Sequence, residues 1–274
     1  MFFMVALLSL CLLGGSVVGL LNSMFGVGGA FIVIPLLDEI LLRLGMDPAV
    51  SHLMAVGTSP LTLLCTCVSS FLAHRKLGSM RDDILRRVAP FLLLGGVAGA
   101  FLAPHAPTSA LKLLFYGIIS ITTAQVVFPM KRFEHTEEDL RWIEPVSVFF
   151  GLIASMSGVA GSLMNIIYLN WRGVPWLQAV GTGAGIGLII SLTSTTGYLC
   201  SGWNVPGLPE WSLGYIYLPG MLCLLLPTVL MARVGAKLMH WSRMPVDAMK
   251  KGICSLLFLY ALTMAARTVW SMVG

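Results

Sequence analysis

Charge is nearly absent from most of this chain. Of its 274 residues 57% are hydrophobic and only 11% are Asp, Glu, Lys or Arg, against about 25% charge in a soluble domain. The apolar stretches between charged clusters run to about 20 residues, enough for a helix to cross a ~30 Å hydrocarbon core. They are continuous rather than alternating, which excludes a β-barrel. In lipid the backbone must satisfy its own hydrogen bonds, so the expected fold is an all-α polytopic membrane protein. The net charge of +5 requires no nucleic acid, because in a membrane protein the placement of charge matters more than its sum.

Charges and turn residues divide the chain into apolar segments near 2–22, 28–44, 48–73, 88–104, 108–129, 142–157, 159–171, 174–200, 212–234 and 246–272. The first 21 residues lack a basic n-region, the first Lys or Arg being Arg43. They are therefore expected to be a mature membrane segment rather than a signal peptide. The six cysteines lie in apolar segments without metal-type spacing and are read as small core hydrophobes. Walker A, H-E-x-x-H and G-x-S-x-G signatures are all missing, so neither an ATP-driven pump nor an enzyme is expected, and no cofactor or metal.

The chain repeats itself. "GLLNSMFGVGGA" at 19–30 matches "GLIASMSGVAGS" at 151–162, and "AVGTS" at 55–59 matches "AVGTG" at 179–183. Two matches in the same order imply two related halves, 1–130 and 142–274, joined by a connector at 131–141. Thirteen of the 17 Lys and Arg residues fall in 74–87, 131–141 and 233–251, whereas 103–110 and 201–213 have none. The positive-inside rule makes the first three regions cytoplasmic and the two bare connectors external. The connectors after the two "AVGT" helices thus face opposite sides, so the repeats are inverted and both termini external. Each half then needs three transmembrane helices plus a glycine-broken pair that returns to its starting side. That pair forms either a re-entrant hairpin of half-helices, the favoured reading, or two full crossings.

Inverted repeats with broken helices are typical of secondary transporters. A glycine-rich break gathers helix-end amides that attract an anion without a buried lysine. The candidate binding residues are Asn22, Ser23, Gly26, Gly28 and Gly29 at the first break. At the second they are Ser157, Gly158, Gly161, Ser162 and Asn165. Thr58, Ser59 and Thr182 add hydroxyls from the neighbouring "GT" sites. The competing reading is that these small residues only let helices pack closely. Asp38, Glu39, Arg43, His52 and His74 fall near predicted segment ends and are read as interfacial, leaving no evident buried carboxylate to carry protons.

These residues carry a resemblance. "GVGGAFIVIPLL" at 26–37, "AVGTS", the "HRKLGSMR" connector at 74–81 and "AVGTG" resemble the TauE/SafE family of membrane permeases, often called sulfite exporters. The resemblance implies export of sulfite, sulfoacetate or a related small sulfur-containing anion across the cytoplasmic membrane. The second repeat departs from the first, with Ala160 in place of Gly28 and Ile167 in place of Pro35. Alternating access is the expected mechanism. An anion channel of the same architecture, or less readily a membrane-embedded enzyme or sensor, stays open. The expected partners are the small anion and the lipid bilayer, with no nucleic acid; a homodimer is left open, as no motif argues for one.

Overall fold

A computed structural model describes residues 11–20, 29–128, 140–239 and 246–273. Helix α1 (Cys11–Leu20) is followed by α2 (Ala30–Arg43), α3 (Pro48–Lys76), α4 (Asp82–Leu102), a short 3-10 turn and α5 (Thr108–Val127). The second half holds α6 (Ile143–Met156), α7 (Ser162–Trp171), α8 (Trp176–Ser201), the strands β1 (Ser212–Leu213) and β2 (Ile216–Tyr217), α9 (Leu218–Met239) and α10 (Val246–Val273). The chain is thus a mostly helical, multi-pass membrane protein. Helices α3, α4, α8 and α10 are long and apolar enough to cross a bilayer. By contrast α2 and α6 have 14 residues and α7 has 10. At 1.5 Å per residue these reach about 15–21 Å, short of the hydrocarbon thickness. Exposed Leu222, Leu226 and Leu230 form an i, i+4, i+8 stripe along α9, an apolar face suited to lipid.

Two boundaries differ from the sequence expectation. Helix α4 begins at Asp82 rather than near 88, because Asp82 and Asp83 occupy its first turn, where carboxylates favour the positive end of the helix dipole. The segment expected at 212–234 opens with an antiparallel hairpin, Ser212 opposite Tyr217 and Leu213 opposite Ile216, and its helix starts only at Leu218.

Packing recurs in matched pairs. Helix α2 packs on α3 and α7 on α8; α4 packs on both α6 and α8. Helix α9 packs on α3 and also on α1, where Thr228 donates to the Gly15 carbonyl at 3.1 Å. Gly19 of α1 lies against the backbone of α9 at Thr228, and Gly151 of α6 lies against the backbone of α4 at Leu92 and Gly96. Helices α3 and α8 meet, as do α5 and α10.

Candidate functional site

The break between α6 and α7 has a defined geometry. Gly158 (φ +67°) and Gly161 (φ +63°) both take the left-handed conformation, which costs other residues about 1–2 kcal/mol. Gly158 donates to the Ser155 carbonyl and Val159 to that of Ala154, at 3.2 and 3.1 Å, a Schellman closure of α6. Gly161 then opens α7. The first amides of α7, at residues 162–164, have no acceptor within their own helix. The last turn of α6 is also held from α8. The Tyr198 hydroxyl donates to Ser155 O at 3.0 Å and approaches Met156 O at 3.3 Å, and Ser194 donates to Ser155 Oγ at 2.9 Å. A tyrosine in the polar run "SLTSTTGY" (191–198) was the signal for this support, and sequence reasoning passed over it.

Helix α3 joins this break to the start of α2. Pro60 lies inside α3 and has no N–H, so the Val56 carbonyl lacks its helical donor. Gly158 sits against that carbonyl, with no room for a Cβ. Seven residues on, Leu63 lies against Gly29, which starts α2 and also faces Val18 of α1. Val56, Ser59 and Leu63 stand at i, i+3 and i+7, on one face of α3. Ser59 is fully buried and its hydroxyl has no partner among the described residues. On the far side of the second break, Gly187 of α8 faces Ser162 and the Ala160 carbonyl.

The two "GT" pairs have a matched environment. Thr58 donates to Met54 O (2.6 Å) and accepts the Tyr217 amide (2.9 Å) from the β-hairpin. Thr182 donates to Gln178 O (2.7 Å) and accepts the Arg81 amide (3.1 Å) from the α3–α4 connector. A Cβ at Gly57 would meet the Tyr215 carbonyl, and one at Gly181 that of Ser79. Each motif therefore holds a connector from the opposite half. Both threonine protons are committed within their own helices.

The other expected site residues are placed as follows. The buried Ser157 hydroxyl approaches the Ile153 and Ala154 carbonyls at 2.9 and 3.1 Å. Asn165 is buried, and its Nδ2 donates to Gly161 O at 2.9 Å. Ser162 is half-buried at the first position of α7. Asn22, Ser23, Gly26 and Gly28 lie outside the described residues.

Asp38 and His52 correct the interfacial reading. Both are buried, at 9% and 1% exposure. Helix α2 folds back on α3 through residues 44–47, which brings two positions 14 residues apart face to face. Ser51 donates to Asp38 Oδ1 at 2.6 Å, while His52 Nδ1 and Lys112 Nζ stand 3.1 and 3.5 Å from Oδ2. A buried carboxylate is therefore present. Its partners lie on α3 and α5, which local sequence could not reveal. Among the described residues there is no group of acidic, histidine or cysteine side chains suited to a metal.

Comparison with known proteins agrees with this architecture. No solved structure matches the chain. A probable membrane transporter protein of Haemophilus influenzae is 29% identical over 258 residues, which cover 93% of this chain and 97% of the relative. A second probable membrane transporter protein, from Methanocaldococcus jannaschii, is 26% identical over 235 residues, covering 85% of this chain and 86% of the relative. The family model described as sulfite exporter TauE/SafE matches residues 11–264. A multi-pass chain matched over nearly its whole length by that model, with relatives named as transporters, belongs to the TauE/SafE family of membrane transporters.

Proposed function

We propose that this transporter exports a small sulfur-containing anion, such as sulfite, sulfoacetate or a related organosulfonate, across the cytoplasmic membrane by alternating access. The observation that carries the reading is the α3 face between the two breaks. There the unpartnered Ser59 hydroxyl lies between Val56, which meets Gly158, and Leu63, which meets Gly29. Ser59, Ser162 and the leading amides of α7 supply neutral donors for an anion, with Gly29, Gly158 and Gly161 keeping the backbone accessible. Asn22, Ser23, Gly26 and Gly28, expected from the sequence to belong to the same site, lie outside the described residues. Ser157 and Asn165 hold the second break open, and Thr58 and Thr182 fix the connectors beside it.

Two inverted repeats, 1–130 and 142–274 joined by 131–141, account for the matched packing. Exchanging α1–α5 with α6–α10 turns α2–α3 into α7–α8, α4–α6 into α9–α1 and α4–α8 into α9–α3. The pairs α3–α8 and α5–α10 map onto themselves, as elements on a two-fold axis must. The lengths of α2, α6 and α7 favour re-entrant half-helices. Charge placement puts 74–87 in the cytoplasm and both termini outside. The inside-negative potential then drives each net negative charge carried outward with about 2.3 kcal/mol per 100 mV.

Reconstitution into proteoliposomes with labelled sulfite, sulfoacetate and taurine tests the proposal. Saturable flux inhibited by a second sulfonate is expected. Unsaturable flux at channel rates would overturn alternating access, and the lack of flux for every sulfur anion would overturn the substrate class.

A further inference from the structure

One cluster is unused by this site. Asp38 is an ionised acceptor beside Lys112 and Ser51, so the imidazole nitrogen facing it, His52 Nδ1, carries the hydrogen. In the neutral ring Nε2 is then a bare lone pair, and it is buried without a partner among the described residues. An acceptor left this way in a low-dielectric interior is costly unless it is used. The other titratable groups facing Asp38 are Tyr116 on α5 and Tyr260 on α10, with Glu39 nearby. Glu39 is paired to Arg43 on α2 itself at 2.7 Å. Lys112 compensates the carboxylate, so a proton arriving at Nε2 adds net positive charge to the cluster.

His52 lies one helical turn, about 6 Å along the axis, from Val56, whose carbonyl faces Gly158. The second half has no counterpart. At the repeat spacing Asn170 stands in place of Asp38 and Trp176 in place of His52.

We infer that His52 Nε2 is a proton-binding site coupled to the anion site, so that one proton is bound and carried with each anion; a divalent anion such as sulfoacetate then leaves with one net negative charge, which the inside-negative potential still drives outward. This rests on the transporter reading above. The proton comes from water on the side where the site is open, forms the Nε2–H bond and returns to water on the other side. No redox step is involved. A positive charge within about 10 Å, at an effective dielectric near 20, strengthens anion binding on the order of tenfold. By linkage, bound anion strengthens proton binding equally.

The test is sulfoacetate flux in proteoliposomes with a pH dye in the lumen. This anion stays fully ionised between about pH 6 and 8.5. The wild-type KM is expected to fall on the order of tenfold as the medium is acidified, with lumen pH changing in step with flux. His52→Asn still donates to Asp38 but holds no second proton, so its KM is expected to stay at the alkaline value at every pH, with no proton movement. Asp38→Asn removes the negative charge beside the imidazole and is expected to weaken the fall of KM on acidification; it decides the matter if His52→Asn does not fold. A wild-type KM that ignores pH, or a wild-type pH profile in either variant, would overturn the inference while leaving the transporter reading intact. Loss of all wild-type flux would overturn both.

Discussion

The two helical hairpins, α2–α3 and α7–α8, descend from the same sequence pattern but differ in length and in charge. Helix α2 has 14 residues against 10 in α7. Helix α3 runs seven residues before its Ala-Val-Gly-Thr motif and α8 only three. Each arm of the first hairpin is thus about one turn longer, and Ser51 falls in that added turn with His52 directly after it. Asp38 answers to Asn170, a residue that merely closes its own hairpin through the Val174 carbonyl at 3.1 Å. What the two hairpins share is a connector-holding threonine in each, preceded by glycine motifs that match in sequence. What they do not share places titratable groups in the first hairpin.

Substitutions at paired positions test this division. The largest difference is expected at the break glycines. Gly161→Ala forces a side chain into a left-handed backbone, against Ala154 and Ile190, and should cost about 2–4 kcal/mol and abolish flux. Gly29→Ala meets only the side chains of Val18 and Leu63 at an ordinary φ of −60° and should cost about 1–2 kcal/mol. Unfolding in detergent measures both, and equal losses would break the contrast.

Next come Asp38 and Asn170. Asp38→Ala strands Lys112 beside a buried histidine and is expected to cost about 3 kcal/mol. Asn170→Ala loses one hydrogen bond, about 1 kcal/mol. A smaller and symmetric effect is expected at the connectors: Thr58→Val and Thr182→Val should each cost about 1 kcal/mol and add without coupling, while the KM for anion stays unchanged. A raised KM in either would place that threonine on the substrate. The smallest effect belongs to Arg87→Ala. This residue pairs with Glu144 at 2.7 Å, but both are largely open to solvent, so melting temperature and flux should not move.

Much of the helical layout was legible because hydrocarbon imposes a length on apolar runs. The segment expected at 142–157 is α6 at Ile143–Met156, and that at 108–129 is α5 at Thr108–Val127. The second break was legible because Gly158 and Gly161 interrupt an apolar run that would otherwise stay helical. The repeated "GT" motif was visible, but its role was not. A small residue beside a hydroxyl suits a ligand or a packed connector equally, and the amides of Tyr217 and Arg81 that meet these threonines come from parts of the chain far from the motif each one meets. The hairpin at 212–217 escaped because two-residue strands carry no periodicity. Asp38 and His52 looked interfacial because their burial depends on α5, which lies far away in the chain.

The claim that the α3 face between the breaks lines the anion path is tested most directly at Ser59. Its hydroxyl has no partner among the described residues, so Ser59→Ala is expected to remove nothing the fold uses, and Tm should hold or rise. If that hydroxyl donates to the anion, the KM for sulfoacetate in proteoliposomes should rise about tenfold, the worth of one hydrogen bond to a charged group. An unchanged KM in a fully folded Ser59→Ala protein would contradict the account.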